Sequence, residues 1–400
     1  MHRNREIATP FFILCITGFL AIFSSTISKS PVLPLFATHL GAGPSGVGMV
    51  ASVSAFTGII ASIPAGMLSD RWGRRRMLVI SSVVFGTAPF LYLFVATIWQ
   101  LAIVRFYHGF ATALFIPVSM AMISDLYQGS RGEKMGWFST STLLGRFAAP
   151  IAGGTLLGVF IAHPAYSFSA VYLVCGAAGA LTLLLSFRIP ATHEENRSQQ
   201  SWTETLRAFR SVISHRAILI TAMVEAAILF AYGTFETFLP LYAREQGIST
   251  YGIGIFLSSQ VITLAITKPV MGRFSDRHGR RLQIIAGAML GALSIAAFSL
   301  SSSFLFLLVF SILFGLSLSI VTSATSAYIA DLSKKETHGS AMGLLGSVMD
   351  IGHTTGPLAA GIVASSFGYR ISFVSASVVL VLASLLFSVT LFHSRNETNP

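Results

Sequence analysis

Apolar stretches of about twenty residues follow one another along nearly the whole chain, and about twenty residues is the length that a helix needs to cross the hydrocarbon core of a bilayer. That core holds no water for the backbone to bond. A crossing segment must therefore satisfy its own N–H and C=O groups, as a helix does. The sequence predicts an all-α membrane protein.

The composition of the chain supports this prediction. Hydrophobic residues make up 53% of it and charged residues only 10%, with a mean hydropathy of +0.73, whereas roughly a quarter of the residues in a soluble domain are charged. We predict twelve transmembrane helices. They cover residues 10–37, 45–67, 77–97, 98–123, 136–161, 166–188, 216–242, 250–272, 282–301, 303–330, 339–366 and 370–393.

The first predicted span follows His2, Arg3 and Arg5, a start that a cleaved signal peptide also shows. Its apolar run is too long for a signal peptide and further spans follow, so we expect a retained helix. Cys15 and Cys175 lie inside apolar spans, where a cysteine usually serves as a small buried hydrophobic residue. No disulfide is expected.

Basic residues are concentrated on one side of the predicted helices. With the amino terminus placed in the cytoplasm, most of the 26 Lys and Arg residues fall on inner loops and tails, and only Arg244 and Arg370 fall on outer loops. This is the positive-inside distribution, and it predicts an inner-membrane protein with both termini in the cytoplasm. The formal net charge of +11 therefore reflects topology, and no nucleic-acid partner is expected.

A short phrase of the sequence occurs twice. It runs from Gly66 to Arg75 and again from Gly272 to Arg281, 206 residues later. Other landmarks keep the same spacing, namely Pro34 with Pro240, Gly41 with Gly247, Gly46 with Gly252, Gly109 with Gly315 and Asp125 with Asp331. Such spacing indicates one duplicated unit. We predict an N-terminal six-helix bundle over 1–188, a cytoplasmic linker over 189–215 and a C-terminal six-helix bundle over 216–400.

Each copy of the phrase lies where a span ends and a basic loop begins. Gly73 and Gly279 are expected to permit tight turns there. Asp70 and Asp276 are carboxylates at helix ends, and each needs a partner such as a helix amino terminus or a loop arginine. Bonded in this way, they would latch one conformation of the protein.

In both copies the phrase resembles the hallmark loop of the major facilitator superfamily, Gly-x-x-x-Asp-Arg-x-Gly-Arg-Arg, and the resemblance covers essentially the whole chain. It implies two pseudo-symmetric bundles that rock about a midplane site. The family pattern also implies that Asp125 and Asp331 pair with loop arginines such as Arg74 and Arg280; plain solvation of helix ends is the alternative. The cytoplasmic gate implied by the resemblance comprises Gly66, Asp70, Arg71, Gly73, Arg74, Asp125, Gly272, Asp276, Arg277, Gly279, Arg280 and Asp331.

The fifth span carries a glycine pattern that resembles one associated with proton antiporters of this family. It consists of Gly136, Gly145, Ala149, Pro150, Gly153 and Gly154, with Ala149 as the single departure. Small residues of this kind let helices pack closely. The resemblance implies an exporter; a packing seam without a transport direction is the alternative. The eleventh span repeats the pattern in Gly343, Gly352, Gly356, Pro357 and Gly361.

Arg105 and Gly109 on the fourth span resemble the buried arginine motif that this family is held to use in proton transfer. The position that matches Arg105 in the second half is Ser311, so only one half carries the charge. Because a guanidinium does not readily release a proton, we expect Arg105 to tune a nearby carboxylate.

Ionisable residues inside the predicted spans mark the candidate site, since a charge in hydrocarbon is costly and normally faces a cavity or a partner. We predict Glu236 and Asp350 as the proton carriers, and Arg105 as a third proton-coupling residue that does not itself carry the proton. The predicted substrate-cavity residues are Lys29, Arg146, His353, Tyr232 and Phe235. The duplication suggests that Lys29 and Glu236 face one another; structural ion pairing is the alternative for all of these charges. Glu225 and Lys268 are expected only to snorkel.

The sequence as a whole predicts a proton-coupled secondary transporter, most simply an exporter that exchanges a small organic molecule or drug for protons. An uptake symporter for a sugar, organic anion or other metabolite is the first alternative, and a membrane sensor without transport is the second. We expect no enzymatic activity, cofactor or metal, and a monomer whose partners are substrate, protons and lipid. Many multidrug exporters of lipophilic cations carry an acidic residue on the first span, whereas this chain carries Lys29 there, together with Arg105 and Arg146 on other spans. This leaves room for an anionic, zwitterionic or sugar-like substrate.

Overall fold

The computed structural model describes residues 2–190, 215–333 and 338–396, and the regular structure of those residues is entirely helical. Most of the predicted linker 189–215 therefore lies outside the described residues. We number the helices α1 to α12 in chain order. They are α1 His2–Ile27, α2 Val32–His39, α3 Pro44–Trp72, α4 Arg74–Leu91, α5 Ile98–Leu126, α6 Arg131–Val159, α7 Pro164–Ser186, α8 Arg216–Glu245, α9 Thr250–His278, α10 Arg280–Leu300, α11 Phe304–Leu332 and α12 His338–Asn396.

Within the described residues, 11 helical segments are long and apolar enough to cross a membrane, which makes this a multi-pass membrane protein. The last segment, Leu344–Thr390, has 47 residues and would be ~70 Å long as a straight helix, about twice what one crossing needs. Its backbone leaves the helical conformation at Gly368, where φ is 80° and ψ is 169°. The two predicted spans 339–366 and 370–393 lie on either side of this residue.

The first predicted span is interrupted in the structure. Helix α1 ends at Ile27, the backbone turns over residues 28–31, and α2 begins at Val32. Pro31 ends this interruption and has no N–H group to offer an uninterrupted helix. Lys29 lies within the turn, and its carbonyl accepts a hydrogen bond from the Leu33 N–H at 3.0 Å.

The described residues form two compact units. Unit 1 takes residues 2–190 and 248–258, and unit 2 takes residues 215–247, 259–333 and 338–396. In unit 1, α6 and α7 pack against α1, while α5 packs against α3 and α4. In unit 2, α12 packs against α8 and α10, and α11 packs against α10 and α8.

Each unit has an apolar core made by its own helices. The core of unit 1 contains the fully buried side chains of Phe85, Phe115 and Phe138. Near the start of α8, unit 2 has a smaller cluster, which we call the lower cluster; it comprises Ile218, Ala222, Ile329, Ala341, Leu344 and Leu345. Cys15 and Cys175 are unpaired, as predicted.

The two copies of the repeated phrase make the same turn. Gly73 has a φ of 87° and Gly279 a φ of 93°, a region that residues with a side chain rarely adopt. Each glycine separates two long helices, α3 from α4 and α9 from α10. The predicted tight turns are therefore confirmed at both positions.

Candidate functional site

A buried charged site of unit 2 joins α8 to α12. Glu236 lies on α8 with 7% of its surface exposed, and its Oε2 is 3.2 Å from Nε2 of His353 on α12. The Tyr232 ring lies one helical turn before Glu236, with its centroid 5.3 Å from that of the His353 imidazole. A carboxylate, an imidazole and a phenol ring therefore meet between two apolar helices.

Small residues allow α8 and α12 to approach closely enough for this contact. A Cβ atom on Gly352 would lie 2.2 Å from the Ala226 carbonyl oxygen, and one on Gly356 would lie 2.2 Å from the Phe230 carbonyl oxygen. Gly233 leaves similar space for Pro357. The glycine echo on the eleventh predicted span thus serves helix packing beside the charged site.

Asp350 lies on α12 three residues before His353 and is half-buried. Its backbone carbonyl accepts a hydrogen bond from the Thr354 hydroxyl at 2.7 Å. Within the described part of the chain its carboxylate forms no ion pair. The i, i+3 spacing places Asp350 and His353 on neighbouring positions of one helix face, as the sequence predicts.

One predicted cavity residue occupies a different place. Phe235 is fully buried, and its ring packs against Phe298 and Phe314 with centroid distances of 5.0 Å each. Its side chain belongs to the aromatic core of unit 2, and its role in the substrate cavity stays a prediction. Adjacent residues on an α-helix point about 100° apart. The side chain of Glu236 therefore meets His353 on α12, while that of Phe235 points into the aromatic core.

The predicted cations of unit 1 lie at two places. Lys29 is in the turn between α1 and α2. Arg146 is exposed on α6, next to Gly145, whose missing side chain leaves room for the Phe19 carbonyl of α1. The facing of Lys29 and Glu236 joins different units and stays a prediction.

Arg105 forms a buried polar cluster in unit 1. Its side chain is on α5 and only 2% exposed, and Nη1 donates to the Tyr92 hydroxyl at 3.5 Å. That hydroxyl also lies 3.3 Å from Nδ1 of His108, and the Tyr92 ring stacks on Tyr172 at 4.4 Å. Among the described residues Arg105 forms no ion pair, so the carboxylate that it was expected to tune is not beside it.

Both predicted arginine–aspartate pairs form near the repeated turns. Arg74 Nε lies 3.4 Å from Asp125 Oδ2, and Arg280 contacts Asp331 in the same manner. Arg280 also bonds Asp276 at 2.9 Å, so this aspartate meets a loop arginine. The side chain of Asp70 lies outside the described part of the structure.

The antiporter-type pattern on α6 packs against α1 and against the part of α9 that belongs to unit 1. Gly145 faces α1, and a Cβ atom on Gly154 would lie 2.4 Å from the carbonyl oxygen of Thr250, in the first turn of α9. The hydroxyl of Ser258, also on α9, donates to the Phe147 carbonyl of α6 at 2.8 Å. Close packing by small residues is confirmed at these positions, whereas Gly136 has no neighbour within 4 Å of an added Cβ.

Sequence reasoning gave no weight to two groups of residues. The partners of Arg105 were missed, although His108 follows it by one helical turn. Glu225 was expected to snorkel, yet it is completely buried, and Thr325 on α11 bonds its Oε2 at 2.5 Å. A carboxylate in an apolar run is the signal that points to such a site.

Comparisons with known proteins agree with this architecture. A family model described as Major Facilitator Superfamily matches residues 14–259 and 242–400. The chain is 27% identical over 378 residues to the multidrug resistance protein MdtG of Escherichia fergusonii, covering 92% of this chain and 90% of the relative. It is 25% identical over 372 residues to the multi-drug resistance efflux pump PmrA of Streptococcus pneumoniae, covering 91% of each.

The fold is also similar to a solved structure. This is a bacterial homolog of the human lysosomal transporter Spinster, in an inward-facing and unoccupied conformation. The TM-score is 0.80 at 17% sequence identity, and the match covers 95% of this chain and 96% of the other. At this identity the likeness concerns the fold alone.

Proposed function

Because this chain belongs to the major facilitator superfamily, we propose that it is a proton-coupled exporter of small organic molecules, drugs among them, working by alternating access. The break at Gly368 supports counting α12 as two spans, which gives twelve. The functional form is then two six-helix bundles in one monomer, located in the inner membrane with both termini in the cytoplasm.

The observation that carries the proposal is the contact between Glu236 and His353. With Nε2 and Oε2 3.2 Å apart, the two side chains share one proton when their combined charge is zero. Taking up a second proton, or losing the shared one, leaves a net charge in an apolar setting, which is costly. Proton exchange at the pair is therefore tied to any step that changes its surroundings, as coupled transport requires.

Asp350 adds a second acid on the same face of α12. A half-buried carboxylate near His353 gives a proton released by the pair a place to move within unit 2. We assign Glu236 and Asp350 as the proton carriers and His353 as the group that links them. Among the described residues no carboxylate pairs with Arg105, so its part is to supply a fixed positive charge to unit 1.

Export is supported by two observations. The relatives MdtG and PmrA are named for multidrug resistance and efflux. The glycine pattern on α6 also packs directly against the first turns of α9, which suits the closure of one side of the transporter. The arginine–aspartate pairs beside Gly73 and Gly279 would secure the cytoplasmic side in the opposite step.

The charges favour a substrate with a negative or zwitterionic group. Lys29 and Arg146 offer cations on unit 1, whereas Glu236 and Asp350 offer acids on unit 2. A zwitterion carries one group that suits the cations of unit 1 and one that suits the acids of unit 2, and its apolar part suits aromatic side chains such as Tyr232. A permanent cation would meet the same acids without using Lys29 or Arg146.

Inverted membrane vesicles test the proposal. They should be loaded with an acidic lumen and supplied with norfloxacin as a zwitterionic probe or ethidium as a cationic probe. An exporter takes up the probe into the lumen and releases protons outward at the same time. We expect norfloxacin to move faster than ethidium relative to vesicles without the protein.

The alternatives give different results in the same vesicles. An uptake symporter moves probe and protons in the same direction, and a sensor binds the probe without moving it. Either result would overturn the proposal. Equal proton release with and without probe would show that transport is not proton-coupled.

A further inference from the structure

Glu225 is a carboxylate that the proposed mechanism does not use. It lies on α8 three residues beyond Ala222, a member of the lower cluster, and none of its surface is exposed. The hydroxyl oxygen of Thr325 on α11 is 2.5 Å from Oε2 of Glu225. Oε1 of the same carboxyl group has no hydrogen-bond partner among the described residues.

The hydrogens at this contact can be counted. A threonine hydroxyl has one hydrogen to donate, yet the Thr325 oxygen lies 2.5 Å from Glu225 Oε2 and 2.8 Å from the Val321 carbonyl oxygen. Both neighbours are acceptors if Glu225 is ionised. A threonine within a helix usually donates to the carbonyl four residues earlier, which here is Val321. The contact with Glu225 is then satisfied when the carboxyl group carries a proton and donates it to Thr325.

Burial favours the same protonation state. An ionised carboxylate out of water needs an ion pair or several donors, whereas Glu225 has at most one donor and an unbonded Oε1. A neutral carboxylic acid has a much smaller solvation requirement. The contacts of Glu225 therefore suit the protonated acid and not the free carboxylate.

Few charged groups lie on the helices packed around Glu225. Lys268 on α9 is exposed, and it forms no ion pair with Glu225 within the described residues. Asp350 and His353 are the titratable groups on the facing part of α12, and Tyr328 is the one that follows Thr325 on α11. Helix α10 meets α8 through apolar contact, where Ile228 packs near Gly291.

Unbonded hydroxyl groups continue from Thr325 along α11. Thr322 and Ser319 are buried and follow at i−3 spacing, which keeps them on one side of the helix. Their side-chain oxygens have no hydrogen-bond partner among the described residues. They give a proton or a water molecule polar contacts between Glu225 and the middle of α11.

We propose that Glu225 is a second proton-binding site of the transporter, which holds its proton in the hydrogen bond to Thr325 and releases it when Lys268 draws near. In the release step the O–H bond of the Glu225 carboxyl breaks, the electron pair stays on the carboxylate, and the proton passes to water. The ammonium group of Lys268 then balances the new negative charge. The use of this proton in transport rests on the proposed function, but its presence on Glu225 does not.

The proposal is tested by counting protons on the purified protein. Infrared difference spectra between acidic and alkaline solution should show the carbonyl band of a buried carboxylic acid in the wild type. We expect Glu225→Gln to lose that band and to release one proton fewer per molecule over the same pH step. Glu245→Gln is the matched control, because Glu245 is an exposed glutamate on the same helix, and it should keep the band.

Two further variants separate a proton site from a merely structural hydrogen bond. Thr325→Val retains the acid but removes its acceptor, so the band should shift and not vanish. Lys268→Gln removes the balancing cation. The band of this variant should therefore persist at an alkaline pH at which the wild type has lost it. Equal proton release by the wild type and Glu225→Gln would overturn the proposal, whatever the vesicle experiment shows about export.

Discussion

The two halves of this chain share one scaffold but carry opposite charges inside it. Among the described residues, unit 1 buries the cation Arg105, which bonds Tyr92 beside stacked aromatic rings. Unit 2 buries two acids, Glu225 and Glu236. The position that matches Arg105 in the second half is Ser311, whose hydroxyl bonds its own helix. Duplication therefore preserved the helices while their buried charges diverged.

The scaffold is preserved in detail at the glycines. Gly145 and Gly352 occupy equivalent positions, and a Cβ atom on either would press against a backbone oxygen, that of Phe19 at 2.5 Å and that of Ala226 at 2.2 Å. Each contact holds the fifth predicted span of its half against the first, which is α6 against α1 in unit 1 and α12 against α8 in unit 2. Similar packing with different charges is what the proposed assignment of the proton-carrying acids to unit 2 requires.

The largest expected effect is on proton coupling. Glu236→Gln keeps a side chain that can bond His353 but cannot exchange a proton. We expect probe uptake driven by a pH gradient in vesicles to fall to the level of vesicles without the protein. Asp350→Asn should have the same effect. Glu245→Gln, which lies on α8 like Glu236, should transport normally. Full transport by both acid variants would break the assignment of the chemistry to unit 2.

The glycine contacts should show equal costs in the two halves. Gly145→Ala and Gly352→Ala each force a methyl group against a backbone oxygen, which should lower the free energy of unfolding by about 1–3 kcal/mol. Gly136→Ala is the control, since nothing lies within 4 Å of its added Cβ, and it should be neutral or slightly stabilising. Unfolding in detergent measures all three. A cost at only one of the two contacts would show that the halves are not equivalent scaffolds.

We expect Arg105 to lower the free energy of unfolding and to be required for transport. Because the buried charge of Arg105 forms no ion pair with any described residue, we expect Arg105→Met to raise the free energy of unfolding by about 1 kcal/mol while reducing pH-driven uptake. Arg146→Met, at an exposed position, should change stability by less than about 0.5 kcal/mol. Thermal unfolding and vesicle uptake report the two effects separately. A large loss of stability in Arg105→Met would make this arginine a structural residue.

The smallest effects are expected at the arginine–aspartate pairs. The Arg74–Asp125 pair is mostly buried, whereas Asp331 in the equivalent pair is 53% exposed. We expect Asp125→Asn to cost about 1 kcal/mol and Asp331→Asn less, because solvent and salt screen the exposed pair. Unfolding at low and high salt distinguishes them, since only the exposed pair should weaken with salt. Equal costs and equal salt dependence would contradict this difference.

Helix rotation explains which site residues the sequence could not place. Phe235 and Glu236 are neighbours in an apolar run, yet one packs into the aromatic core and the other contacts His353. A pattern that is apolar on nearly every side does not mark which face of a helix is buried. The spacing of Asp350 and His353, by contrast, is local to one helix and was predictable.

The sequence by itself determined the membrane-spanning helices, the duplication, the tight turns at Gly73 and Gly279, and the small residues that bring helices together. These follow from hydrocarbon thickness, backbone bonding and side-chain size, which act locally or repeat along the chain. Only the tertiary structure decided that His353 meets Glu236 and that Thr325 meets Glu225. Those partners are 117 and 100 residues apart, and their meeting depends on which helices pack together and how each is rotated, which no local pattern fixes.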